Sequence, residues 1–342
     1  MLNKNFLTVM VGILYALALT SCGSGNNGEK GSGDPDSMSG LARVTQQIIA
    51  DSNNADLYFK RAELYIQEKK IDPAFRDLNR AITLNPEDAR FFVALSDIYL
   101  MQGKIASCKE SLEKAISLDV NNKDAYLKLA ELNLMLKNYE ETFENLKKAI
   151  EIDALNPVAY FISAYAFLEL EDTARAIENF QKAADQDQHY YDAYIYLGNI
   201  FAARKQKLAV DYYNNALNID PQSIEAHYNL ALFYQETEQI DEAEALYDRL
   251  LKIDPGYIYA LYNLGYINLV YKKDFERAVQ YFTETIGQDQ DYYEAYYNRG
   301  YAYELMGNYN EARWDYQKTL ELRTNYPRAI EGLNRLDGIQ LR

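Results

Sequence analysis

Three chemically distinctive side chains are scarce in this chain of 342 residues: it has two histidines, two cysteines and one tryptophan. That scarcity excludes whole reaction classes. A His-Glu-x-x-His zinc helix, a Cys-x-x-Cys pair, a nucleophile elbow and a phosphate-cradling glycine loop are all missing. No catalytic residue, metal ligand or cofactor is therefore expected, and the chain reads as a non-enzyme. Cations are also short: 35 Lys and Arg stand against 51 Asp and Glu, a net charge of −16. Such a surface repels phosphate backbones, so nucleic acid is not an expected partner. The longest apolar run, Phe6 to Leu19, falls short of the roughly 20 residues that cross a bilayer as a helix. Hydrophobic content is nevertheless 48%, enough to build a core.

The amino terminus has its own logic. Lys4 is the only charge before Cys22, an apolar run follows it, and small residues close the segment. Residues 1–21 thus read as an export signal. Leu19-Thr20-Ser21-Cys22 resembles the lipobox of bacterial lipoproteins. That resemblance implies cleavage before Cys22 and lipid attachment to it. Gly23 rather than Asp follows the cysteine, which in that family favours the outer membrane, on its periplasmic or surface face. Residues 22–40 are rich in Gly, Ser, Asn and Asp without apolar periodicity, a tether reaching roughly 20–25 Å by the random-coil rule. With Cys22 lipidated, Cys108 has no disulfide partner. It occupies a place held elsewhere by alanine (Ala74, Ala176, Ala243), so a small packing residue is expected there.

From residue 55 a pattern of thirty-four residues recurs, clearest from Ile224 to Tyr257. His227, Leu230, Ala231 and Tyr234 share one helical face, and Ala243, Tyr247 and Leu250 share another. Asp241 and Glu244 have capping-box spacing, and Asp254-Pro255 closes the unit. Neither helix can bury its stripe alone, so neighbours must stack. Eight copies fit, at about 55–88, 89–122, 123–156, 157–190, 191–223, 224–257, 258–292 and 293–326. The fifth is one residue short in the turn Arg204 to Lys207, and the seventh gains one near Tyr271 to Asp274. Gly198, Gly265 and Gly300 share a first-helix position, and Gly103 and Gly307 share the turn between paired helices. Six of the seven prolines fall at predicted boundaries, with Asp72-Pro73 read as an N-cap and first turn. Residues 41–54 and 327–342 are expected to shield the two ends, as helix, and helix with tail.

The unit resembles the tetratricopeptide repeat (TPR): large-Leu-Gly/Ala-Tyr in the first helix, then Ala, Phe/Tyr, Ala and Pro. The resemblance implies an all-α, right-handed superhelical solenoid of about eight helix pairs, in one elongated domain, with a capping helix at each end. It further implies that first helices line a concave groove. The carboxyl-terminal half would contribute Tyr196, Asn199, Tyr228, Asn229, Tyr262, Asn263, Tyr266, Tyr297, Asn298 and Tyr301. The amino-terminal half would contribute a more charged set: Phe59, Lys60, Glu63, Arg90, Asp97, Lys128 and Glu131. Tyrosine gives contact area at little entropy cost and asparagine pairs with peptide groups, so an extended peptide or partner protein fits the first set. TPR domains that clamp a terminal carboxylate use Lys and Arg where this chain has Ile195, Tyr259 and Asn263, which argues against that ligand. A cell-wall glycan, stacked on the tyrosines, is the alternative occupant.

His189 and His227 are expected to be structural. Asp185-Gln-Asp187 and Asp289-Gln-Asp291 are expected to be turns, because the glycine and terminal glutamate of a calcium loop are missing.

Overall fold

The computed structural model describes residues 40–340 and is all-helical there. The expected leader, Cys22 and nearly all of the tether lie outside the described residues. The chain falls into two compact units, one ending at Leu170 and the other starting at Glu171. The boundary lies in a turn inside the fourth expected repeat.

The first unit opens with α1 (Gly40–Ala50). Three helix pairs follow, α2 (Ala55–Gln67) with α3 (Ile71–Leu84), α4 (Ala89–Met101) with α5 (Ile105–Leu118), and α6 (Lys123–Met135) with α7 (Tyr139–Ile152), and then α8 (Pro157–Glu169). The second unit opens with α9 (Thr173–Gln186). Its pairs are α10 (Tyr191–Ala203) with α11 (Leu208–Ile219), α12 (Ile224–Glu236) with α13 (Ile240–Ile253), α14 (Ile258–Ile267) with α15 (Phe275–Gln288), and α16 (Tyr293–Leu305) with α17 (Tyr309–Leu322). It closes with α18 (Pro327–Gln340), packed on α17.

Within each unit a second helix lies between its own first helix and the next one, as α3 does between α2 and α4, and α13 between α12 and α14. In the first unit, Ala62 and Ile66 of α2, Leu78 and Ala81 of α3, and Phe91 and Ile98 of α4 make one buried cluster. Ala231, Tyr247, Leu250, Ala260 and Leu264 repeat it in the second. Fully buried alanines (Ala62, Ala74, Ala130, Ala231, Ala243) let backbones approach. The large side chains between them each supply about 1.5–3 kcal/mol on burial.

The turn between paired helices carries the register in its backbone. Residues 69, 103, 137, 171, 205, 238, 273 and 307 all have positive φ. Only two are glycine, Gly103 and Gly307; the others are Lys69, Lys137, Glu171, Lys205, Glu238 and Lys273. An L-residue there costs about 1–2 kcal/mol, partly offset by glycine's greater unfolded freedom. Lys69→Gly is therefore expected to stabilise the first unit by about 0.5–1 kcal/mol, read as a higher urea midpoint. An unchanged or lower midpoint would contradict this account of the turn.

The same turn explains two corrections. The N-cap of α3 is Lys70, not Asp72, which lies in the first turn with Pro73 behind it. The N-cap of α13 is Gln239, and no side-chain cap bond forms, so Asp241 and Glu244 make no capping box. The chain leaves the left-handed residue and enters the helix after one further residue, which fixes the N-cap whatever its side chain. The extra residue of the seventh repeat is absorbed as a π-helical turn, Asn268–Lys272, beginning before the expected place. There the buried Asn268 amide donates to the Leu264 carbonyl at 2.8 Å. The short fifth repeat loses its residue at the start of α11, which has 12 residues where the other second helices have 14.

Among the described residues, no helix is long and apolar enough to cross a membrane.

Candidate functional site

In the second unit, α10, α12, α14 and α16 present the tyrosines and asparagines on the first-helix face, and the side chains hold one another. Tyr213 donates to Asn199 Oδ1 at 2.8 Å, and the Asn229 amide donates to the same oxygen at 3.2 Å. The Asn298 amide donates to the Tyr262 hydroxyl at 2.9 Å, across adjacent first helices. Asn263 lies beside the Tyr228 hydroxyl and eases the rise that burial imposes on that phenol. Tyr196 is buried and stacks on Phe180, with centroids 5.1 Å apart. Asn298 is buried as well. These two shape the floor; Asn199, Tyr228, Asn229, Tyr262, Asn263, Tyr266, Tyr297 and Tyr301 are half-buried and keep part of their surface open.

The structure adds residues that the sequence pattern did not single out. Tyr257 and Tyr292 each stand just before a first helix and lean onto the face. Tyr257 lies 5.7 Å from Tyr228, and Tyr292 lies 5.1 Å from Tyr262. Tyr259 completes a trio, 5.6 Å from Tyr257 and 6.0 Å from Tyr228, and is 49% exposed. Tyr326 repeats the arrangement against Tyr297 at 5.3 Å. The signal was an aromatic immediately before Ile258, Tyr293 and Pro327. Beside the rings stand Asp192 and Glu225; burial raises the pKa of both, and Asp192 raises that of Glu225 further. Burial, with neighbouring phenols and Glu225 as smaller causes, pushes Tyr257 up to about 12. The face therefore offers edges and faces of neutral rings, amides and carboxylates. That suits an extended, hydrogen-bonding ligand.

The first unit's equivalent face is different. Phe59 packs on Phe91 at 5.1 Å, and the Arg90 guanidinium lies over Phe59 while paired with Asp56 and Asp88. Lys128 Nζ meets Asp97 Oδ1 at 2.6 Å. Burial raises the pKa of Glu63, with Arg90 and Lys60 opposing it.

The remaining chemistry-bearing residues are accounted for by the fold. Cys108 is buried, and burial, aided by Asp97, pushes its thiol up to about 11, away from reactivity. His227 is fully buried, with Nδ1 donating to the Ser223 carbonyl at 2.8 Å. His189 is exposed in a turn. Asp187 and Asp289 spend a carboxylate oxygen on the backbone N–H two residues on, His189 at 2.8 Å and Asp291 at 2.9 Å. Asp119, Asp153, Asp220 and Asp254 do the same at their own repeat junctions. Asp289-Gln-Asp291 is therefore a turn, whereas Asp185 and Gln186 close helix α9 and only Asp187 belongs to the junction, a correction to the expected turn. Trp314 is 55% exposed beside Tyr296. An open hollow of about 450 Å³, lined by Asn85, Asp88, Arg90, Asp119 and Asn122, lies on the turn side, where Asp88 and Asn122 cap helices. Among the described residues, no group of His, Cys, Asp and Glu could hold a metal ion.

Family models described as tetratricopeptide repeat match residues 55–88 and 89–122, residues 163–224 and 266–329, and residues 201–264. The chain belongs to the tetratricopeptide-repeat family. Human tetratricopeptide repeat protein 6 is 31% identical over 119 residues, 34% of this chain and 23% of that protein. The uncharacterized protein ycf37 of Porphyra purpurea is 44% identical over 61 residues, 18% of this chain and 35% of its own length. The chain thus spans well under half the length of these curated relatives. Among solved structures, the C-terminal part of a TPR repeat-containing protein from Cytophaga hutchinsonii superposes with a TM-score of 0.61 at 18% identity, over 70% of this chain and 99% of that one. The Pseudomonas aeruginosa protein PilF does so with a TM-score of 0.53 at 20% identity, over 61% and 95%. At that identity these likenesses establish the TPR fold alone. A TPR array is a scaffold for protein–protein interaction, and that is the class of activity to which the chain belongs.

Proposed function

We propose that this TPR protein is an exported, lipid-anchored scaffold of the cell envelope, and that the first-helix face of its second unit holds an extended segment of a partner protein. The observation that supports the binding face is the tyrosine layer from Tyr228 to Tyr301, with Tyr259 standing half out of it. Rings already braced by neighbours lose little entropy on contact. The anchor rests on Leu19-Thr20-Ser21-Cys22. Lipid at Cys22 would fix position, the tether would give reach, and the face would supply affinity.

A photo-crosslinking residue at Tyr262, placed in cells, is expected to trap a discrete protein adduct. Tyr259→Ala is expected to weaken that adduct's purified partner by about ten-fold or more, the scale of an aromatic hot spot. Adducts of cell-wall fragments instead of protein would transfer the reading to a glycan, and absence of any adduct would end it. Labelling with an alkyne fatty acid should mark the wild-type chain and miss Cys22→Ser; equal labelling of both would remove the anchor.

A further inference from the structure

Three successive first helices of the first unit place a carboxylate at one register position: Glu63 on α2, Asp97 on α4 and Glu131 on α6. The same position in the second unit holds Asn199, Leu232, Tyr266 and Tyr301, so the acidic stripe belongs to the first unit alone. Lys128 reaches back from α6 to bond Asp97, which neutralises one carboxylate. Glu131 is left over. It is half-buried, attracted by Lys128 and repelled by Asp97, and among the described residues no hydrogen-bond donor reaches it. The residue keeps part of its surface exposed. Two half-buried carboxylates thus lie in the field of one ammonium, which bonds only Asp97. Burial raises the pKa of Asp97 and Glu131 alike. Nearby, Arg90 cannot supply the missing charge, because its guanidinium is tied to Asp56 and Asp88 at 2.7 and 2.6 Å.

A desolvated carboxylate without a donor is unfavourable, and an incoming cation recovers what was lost. An acidic or carboxylate-terminated ligand would be repelled from the same place. We propose that the first-helix face of the first unit receives a lysine or arginine side chain of an extended peptide, with Glu131 as its acceptor and the Asp97–Lys128 pair fixing where the charge must sit. The proposal rests on the scaffold reading above and names the chemistry of a partner segment.

A random twelve-residue peptide display library, selected against the full chain, tests it. Peptides retained by the wild type should be enriched about four-fold in Lys or Arg at one fixed position. Glu131→Gln, which is isosteric and whose fold is checked by circular dichroism, should lose that enrichment. Glu131→Lys should replace it with Asp or Glu. Pools of the same composition from wild type and Glu131→Gln would overturn the proposal while leaving the scaffold reading intact. Failure of every pool to rise above background would overturn both.

Discussion

Arg299→Leu is expected to cost the second unit about 3–5 kcal/mol, the penalty of stranding one member of a buried ion pair. Arg299 grips Asp315 with two bonds, Nε to Oδ2 at 2.9 Å and Nη2 to Oδ1 at 2.8 Å, and a third bond runs to Thr283 at 3.1 Å. The Asp315 side chain is 1% exposed, so its charge has no route to water once the guanidinium is gone. In the repeat of α12 and α13 both places are apolar: Leu230 stands where Arg299 does, and Leu246 stands where Asp315 does. Arg299→Leu together with Asp315→Leu should therefore recover most of the loss, because a well-packed apolar pair matches a buried ion pair in stability. Trp314, the only tryptophan, adjoins Asp315, so its fluorescence during urea unfolding reports on this end directly. A wild-type midpoint for Arg299→Leu alone would show that the pair contributes nothing net.

Arg61 and Asp77 make the same grip in the first repeat, at 2.6 and 2.8 Å, with Thr45 in the role of Thr283. Neither pair stands out in the sequence, because an isolated charged residue on a helix is most often solvated. The signal was available: arginine at the register of a core leucine, with aspartate sixteen residues on, in the first and last repeats. Repeat number, pairing and turn positions were legible because they follow from period and punctuation. Capping was less so. The left-handed turn at Lys69 and Glu238 dictates where the next helix starts, and a side-chain pattern such as Asp241 with Glu244 cannot override backbone geometry.

The binding face was legible as a list of positions and not as a surface. Register places Asn298 and Tyr262 on one face. That the amide donates to the phenol across 36 residues depends on rotamers that neighbouring rings impose. Tyr257 and Tyr292 were overlooked for a related reason: they precede their helices, where a helical wheel assigns no face. In the first unit the charged set was visible, but the imbalance at Glu131 depends on Lys128 choosing Asp97, a distance and not a spacing.

Phe282→Ala should be the other large loss, again about 3–5 kcal/mol for a fully buried aromatic. Phe282 is 0% exposed and packs against α14 at Gly265, where a Cβ would lie 2.7 Å from the ring. That contact makes the two positions non-additive, in a direction that can be stated in advance. In the wild type, Gly265→Ala pushes a methyl into a ring that cannot retreat. Overpacking of about 1–3 kcal/mol then exceeds the roughly 0.5–1 kcal/mol that alanine gains over glycine in a helix. In the Phe282→Ala background the same methyl enters vacated space and keeps its helical advantage, so the sign reverses. Gly265→Ala should thus lower the urea midpoint of the wild type and raise that of the Phe282→Ala variant, with helicity at 222 nm as the readout. Equal effects in the two backgrounds would mean that glycine at this position serves chain entry into the π-helical turn at Asn268, and not the closeness of ring to backbone.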